Sequence, residues 1–194
     1  MDHDVSDARY WTDRYREGTA GWDLGGPCPV FVDWLDRAGS PVSGRVAFPG
    51  CGHGHDLRFW LARGFDAVGF DFARFETDLP VERLDVFDLG RAYPAAFDVI
   101  VEYTCYCAID PARRTEYALA LRSALKPGGL LVALLFPVEE REGGPPYGVD
   151  ESEIGRVLGV GLTTVSIETP ASSVEPRRDR ERLAVFRKPD DPRR

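Results

Sequence analysis

The chain has 194 residues, the length of one ordinary domain, and its 43% hydrophobic and 29% charged residues exclude wholesale disorder, collagen-like repeats and coiled coil. Lys and Arg number 24 against 32 Asp and Glu, a formal charge of −8 that disfavours nucleic acid and leaves a small molecule as the expected partner. No apolar run approaches the roughly 18 residues of a membrane span, and the acidic start Met1-Asp2-His3-Asp4 is unlike a signal peptide, so a cytoplasmic protein without membrane contact is expected.

In chain order, Val5 to Glu17 and Phe31 to Ala38 predict helices packed over one edge of a sheet. From residue 45, β-branched and apolar runs alternate with amphipathic stretches. The runs are Arg45 to Phe48, Ala67 to Phe70, Phe97 to Val101 and Leu130 to Phe136, the rhythm of a parallel α/β sheet. A further strand is expected at Val81. Between these, Asp56 to Arg63 places Leu57, Trp60 and Leu61 on one helical face. Pro111 to Leu125 starts after Asp110 as N-cap and stops at Lys126-Pro127-Gly128-Gly129. A Gly/Pro-rich loop, Glu139 to Gly148, precedes a short helix near Asp150 to Leu158. Leu162 to Glu168 and Arg182 to Arg187 can then pair as an antiparallel hairpin. One domain is expected over residues 1–188, with 1–40 as a helical lid and 189–194 as a frayed tail.

The first strand runs into Pro49-Gly50-Cys51-Gly52-His53-Gly54-His55-Asp56 and then a helix. Glycines there permit positive φ and close backbone approach, and the helix N-terminus offers free N–H groups, which suits a nucleotide-sized ligand. The spacing Gly-x-Gly-x-Gly places the third glycine one residue earlier than in the dinucleotide fingerprint, favouring S-adenosylmethionine over NAD. Asp71 ends the second strand about twenty residues on, where an acidic side chain can bind ribose hydroxyls. His53 and His55 beside Asp56 read as solvated or hydrogen-bonded loop residues, and no metal is assigned to them. The four cysteines, Cys28, Cys51, Cys105 and Cys107, lack Cys-x-x-Cys spacing and read as small reduced hydrophobes.

Trp11 and Tyr15 lie one helical turn apart, and Trp22 follows a glycine-containing turn. Aromatic faces around a desolvated sulfonium are worth roughly 0.5–2 kcal/mol each, so an aromatic lid over the glycine loop is chemically coherent. Six words then occur in order: Trp11-x3-Tyr15-x2-Gly18-x3-Trp22-Asp23-x-Gly25-x-Pro27; Pro49-Gly50-Cys51-Gly52-x-Gly54-His55-Asp56; Asp85-Val86-Phe87; Tyr103-x3-Cys107-Ala108-Ile109; Leu125-Lys126-Pro127-x-Gly129; and Glu142-Gly143-Gly144-x-Pro146-Tyr147. With these words the chain resembles the thiopurine methyltransferase superfamily, and most closely its halide, thiocyanate and thiol methyltransferase branch.

The resemblance implies a doubly wound, mostly parallel seven-stranded Rossmann-like methyltransferase sheet with an antiparallel terminal strand. It also implies S-adenosylmethionine as methyl donor, with S-adenosylhomocysteine as product. Trp11, Tyr15 and Trp22 would line the methionine end, Gly50 and Gly52 would contact the cofactor through backbone, and Asp71 would bind ribose. Asp85 with Val86 would receive adenine, and Tyr103 would close the site near the sulfonium. Substrate-pocket candidates are Tyr106, Phe136, Tyr147 and Arg14, with Arg141 as a further cation. Relatives often carry Tyr where this chain has Phe136. Residues 72 to 80 are too few for the full helix usual after the second strand, which leaves the adenine side either walled by a loop of Phe72, Ala73 and Phe75 or open.

The expected reaction is in-line methyl transfer to a small soft nucleophile, a thiol, thiocyanate, halide or thiopurine, with no obligatory general base. Cys105 and Cys107 alternate with Tyr103 along the strand end and are expected to share its face, without acting as methyl carriers. The expected assembly is a monomer or weak homodimer. The competing reading is a catalytically impaired accessory or sensor protein that binds the nucleoside ligand. Arg177, Arg178, Arg180 and Arg182 are interleaved with Asp179 and Glu181 and read as a solvated charged run.

Overall fold

In the computed structural model, which describes residues 5–37, 43–73 and 76–190, period-two alternation sorts the strand side chains onto two faces. In β1 (Arg45–Pro49), Val46 and Phe48 join one core cluster and Ala47 the other. In β4 (Phe97–Tyr103), Val99 and Val101 face the first and Ile100 the second. In β5 (Leu125–Leu135), Leu130, Val132 and Leu134 oppose Leu131, Ala133 and Leu135. With both faces covered, the central positions of these strands are apolar on either side, as in parallel strands.

The seven strands run in the order β3-β2-β1-β4-β5-β7-β6, where β2 is Asp66–Asp71, β3 Val81–Arg83, β6 Thr163–Glu168 and β7 Arg182–Arg187. Strands β1 to β5 pair in parallel, whereas β7 inserts antiparallel between β5 and β6, so the predicted hairpin forms. The chain winds outward in opposite directions from β1 and β4. A crevice at the carboxyl ends of these two neighbours is where such sheets take ligands.

The first helix, α1 (Ala8–Arg16), is capped by the Asp7 side chain and has no fully buried residue. The second, α2 (Pro29–Arg37), buries Val30, Phe31 and Leu35 against the first core cluster, so it serves the sheet's core. Ala38 lies outside the described residues. Helix α3 (His55–Ala62) buries Leu57 and Trp60 on the same face, and a short α4 (Leu89–Ala92) packs on the other. Asp110 accepts from the Ala112 amide and starts a single 3₁₀ turn, Pro111–Arg113, before α5 (Arg114–Ala124). Helix α6 (Glu151–Glu153) continues as a π turn to Leu158. No helix forms among the described residues of 72–80, and Phe75 lies outside them. No helix among the described residues is long and apolar enough to cross a membrane.

Candidate functional site

The turn after β1 gives the site its floor. Gly50 has φ of +62°, and a Cβ there would lie 2.8 Å from the Cys105 Cβ and Sγ, so only glycine lets the turn seat against the chain leaving β4. Asp71, at the end of β2, is 6% exposed, and its Oδ2 accepts from the Gly52 amide at 2.8 Å. Its Oδ1 accepts from the Ala73 amide, also at 2.8 Å. Burial raises the Asp71 pKa against these two amides, which hold it down. The carboxylate thus braces the turn while keeping lone pairs for a further donor.

Above this floor lies a cavity of about 880 Å³, large enough for a nucleoside cofactor with a small second substrate. Gly50, Asp71, Asp85 and Val86 border it together with Trp11, Tyr15 and Trp22, although these residues come from widely separated parts of the chain. The aromatic residues form one cluster. Trp22 meets Trp11 edge-on at 5.5 Å and Tyr15 at 5.6 Å between ring centroids, and its indole N–H donates to the Tyr15 hydroxyl at 2.9 Å. The Trp11 indole N–H donates to the Val5 carbonyl at 2.8 Å. With their N–H groups satisfied within the N-terminal segment, these indoles can offer apolar faces to a ligand.

Phe72 and the segment 85–87 form another stretch of the cavity wall. The Asp85 side chain caps its own 3₁₀ turn by accepting from the Phe87 amide at 3.1 Å, and the Arg113 guanidinium lies 3.6 Å from the Phe87 ring centroid. Phe136, Pro145 and Pro146 border the cavity elsewhere, so the Gly/Pro-rich loop contributes to its wall.

Other expected site residues are placed elsewhere. Tyr103 does not border the large cavity: its hydroxyl accepts from Arg177 Nη1 and donates to Glu181 at 3.3 Å. Gly52 borders only a smaller hollow of about 70 Å³, because Tyr15 covers it, with its hydroxyl oxygen 2.6 Å from where a Cβ would be. Tyr106 is 1% exposed and donates to Glu153 at 3.2 Å, under the Arg114 guanidinium. Tyr147 folds over Gly144 outside the cavity lining. Of the four substrate-pocket candidates, Phe136 and Arg14 border the cavity; Arg141 sits beside Glu139 outside it. Arg14 lies over the Tyr10 ring at 4.4 Å.

Cys105 and Cys107 do not continue the Tyr103 strand face. The strand ends there, Thr104 takes φ of +58°, and both cysteines turn to border the cavity. Burial pushes the Cys107 thiol up to about 12 and Cys105 well above the ordinary thiol range, so neither is a ready nucleophile.

Arg177 is the residue that sequence reasoning missed. A 3₁₀ turn, Glu175–Arg177, carries its side chain inward until the residue is 5% exposed. Nη2 donates to the Trp22 carbonyl at 2.9 Å, and the guanidinium stands 4.9 Å from the Phe136 ring centroid. Among the described residues no carboxylate lies within ion-pair distance of Arg177, and Glu181 is bridged to it by the Tyr103 hydroxyl. Arg180 also borders the cavity, but Glu139 holds it through two hydrogen bonds of 2.7 and 2.8 Å. The interleaved acidic neighbours hide this difference in the sequence.

Comparison with known proteins agrees with this fold. The chain matches the family described as Thiopurine S-methyltransferase (TPMT) over residues 6–79 and 74–192. It is 34% identical to Probable thiol methyltransferase 2 of Arabidopsis thaliana and 31% identical to Thiocyanate methyltransferase 1 of Brassica oleracea. Each alignment covers 92% of this chain and 84% of the relative. Among solved structures, a Burkholderia thailandensis 1,6-didemethyltoxoflavin-N1-methyltransferase with bound S-adenosylhomocysteine shares the fold. Its TM-score is 0.72 at 17% identity, covering 98% of this chain and 94% of that one. The sheet order, the ligand-sized crevice over a glycine turn and these matches together assign the chain: it belongs to the thiopurine S-methyltransferase family of S-adenosylmethionine-dependent methyltransferases.

Proposed function

We propose that this protein methylates a small, soft, anionic sulfur nucleophile or its halide equivalent, with thiolates and thiocyanate foremost, by in-line displacement. The observation that carries the reading is the buried Arg177 guanidinium in the wall of an aromatic cavity, without a directly paired carboxylate. A cation removed from water is costly unless an anion or good hydrogen-bond acceptors compensate it. Neutral acceptors at Trp22 and Tyr103 do part of this, and a soft anion entering beside Phe136 would complete it. The names of the thiol and thiocyanate methyltransferase relatives support the same substrate class.

The residues present fit the donor S-adenosylmethionine, which supplies an electrophilic methyl group on a cationic sulfur. In this reading Gly50 leaves room for close approach, Asp71 accepts from the ribose hydroxyls, and Asp85 with Val86 receives the adenine. Trp11, Tyr15 and Trp22 present π-faces toward the sulfonium. Burial pushes the Tyr15 hydroxyl above its ordinary value, so it stays neutral beside that cation. The lid and the proline loop exclude water, removing the hydration shell that blunts a soft nucleophile. Holding the reacting atoms in line at about 3–3.5 Å can supply roughly 7–11 kcal/mol, so a thiolate or thiocyanate needs no general base from the chain. No resident metal enters this proposed chemistry.

Two measurements test the proposal. Calorimetric titration with S-adenosylhomocysteine should give one saturable site, and absence of heat or of thermal stabilisation would remove the donor assignment. A methylation screen over thiols, thiocyanate, iodide and thiopurines should give turnover with anionic soft acceptors. Ligand binding without turnover on any of them would leave a binding protein instead.

A further inference from the structure

The methyl-transfer reading leaves one constellation of chemistry-bearing side chains unused. His53 and His55 stand on either side of Gly54, and Asp23 reaches both from the segment just after Trp22. Asp23 Oδ2 lies 2.6 Å from His53 Nδ1, and Asp23 Oδ1 lies 3.0 Å from His55 Nε2. One donor atom from each of the three falls within 4.8 Å of the other two. Asp56, the carboxylate next to them in sequence, is not part of this group; it accepts from the Cys28 amide at 2.8 Å.

We propose that Asp23, His53 and His55 form a binding site for a divalent first-row transition ion, with zinc as its representative. Two imidazoles and one carboxylate form a donor set suited to zinc, with a fourth position left for water. Bonds of about 2.0–2.2 Å put the donor atoms of a tetrahedral site roughly 3.3 Å apart. Because Asp23 meets the two imidazoles through different oxygens, one carboxylate oxygen and the two ring nitrogens, within 4.8 Å of one another, draw together toward that spacing as the ion enters. The imidazole side chains are 44% and 35% exposed and have room to turn, while the Asp23 side chain is 17% exposed. The Gly25 amide donates to Asp23 Oδ1 at 2.7 Å, an outer partner that orients a ligating carboxylate.

None of the three residues borders the large cavity; all border the smaller hollow behind the turn. An ion here would fasten the lid segment to the glycine turn, and by mass action it would stabilise the folded chain. The inference is independent of the acceptor and of methyl transfer itself.

The test uses zinc chloride and the full chain carrying His3→Gln, which removes the one other histidine. Calorimetry should show a single saturable site per chain, and zinc should raise the thermal midpoint. Adding His55→Gln should weaken binding by at least about tenfold and shrink that rise, as loss of a direct ligand exceeds loss of an outer partner. To separate loss of a ligand from loss of fold, the unsubstituted protein is treated with diethyl pyrocarbonate with and without zinc, and the modified peptides are mapped by mass. Zinc should protect both His53 and His55. Lack of a saturable site, unchanged affinity in His55→Gln, or unprotected imidazoles would each overturn the proposal.

Discussion

Arg177 and Trp22 are joined directly: the guanidinium Nη2 donates to the Trp22 carbonyl at 2.9 Å, tying the β6–β7 connection to the N-terminal lid across 155 positions of sequence. The cation and the aromatic cluster are therefore set in one wall of the cavity, and a change at either is felt at both.

Arg177→Met keeps much of the side-chain volume but removes the charge and its hydrogen bonds, each worth about 1.5–3 kcal/mol when charged. The variant should raise KM for thiocyanate about tenfold or more, equivalent to about 1.4 kcal/mol, and change KM for a neutral thiol far less. Steady-state kinetics on both acceptors read the difference. Equal losses on the two would assign Arg177 to lid stability alone.

Trp22→Ala should weaken S-adenosylhomocysteine binding and lower kcat/KM, because it removes a ring and the hydrogen bond to Tyr15. Trp22→Phe keeps a π-face without the N–H and should fall between. At roughly 0.5–2 kcal/mol per aromatic face, the Ala variant should lose about two- to thirtyfold in affinity for S-adenosylmethionine, measured by calorimetry. An Ala variant with unchanged affinity and turnover would contradict the role of the lid.

Asp71→Asn keeps one acceptor oxygen but turns an NH₂ toward the Gly52 or the Ala73 amide. A buried donor left without its acceptor costs about 1–3 kcal/mol. The thermal midpoint should drop, and S-adenosylhomocysteine affinity should fall about tenfold or more, since the ribose also loses its acceptor. A destabilised variant with unaltered affinity would confine Asp71 to bracing the turn.

Glu102, fully buried at the end of β4, sets a pH dependence. Burial pushes it up to about 7; the Tyr106 and Cys105 amides and Arg114 oppose this. Between the ordinary glutamate value of 4.5 and about 7, the folded chain keeps a proton that the unfolded chain releases, so stability falls as pH rises through that window. Denaturant unfolding of wild type and Glu102→Gln should converge at acid pH and diverge above it, with the variant the more stable at pH 8. Parallel curves across the range would contradict this.

The glycine turn, the acid ending β2 and the strand alternation were legible in the sequence because each is a local pattern. Gly50 needs positive φ, Asp71 ends β2 at a fixed spacing from the turn, and the central strand positions are apolar on both faces. That no helix forms among the described residues of 72–80 was legible as well, from chain length alone. Arg177 was not legible, since its burial depends on a 3₁₀ turn that brings it beneath Trp22 and Tyr103, while Arg180 three residues on keeps an acidic partner. Tyr103 was expected at the ligand from the family resemblance, and Tyr106 and Tyr147 as hydrogen-bonding partners of a substrate; their placement was decided by Glu181, Glu153 and Gly144, which no spacing rule connects to them. The meeting of Asp23 with His53 and His55 joins segments 30 residues apart and likewise has no local signature.

The most direct measurement is a crystal structure of the protein with S-adenosylhomocysteine. The ribose hydroxyls should lie at Asp71, the adenine along Val86 and Phe87, and the sulfur among the rings of Trp11, Tyr15 and Trp22, with open space beside it toward Phe136 and Arg177. A ligand bound outside this cavity, or one whose sulfur lies away from those rings, would contradict the account.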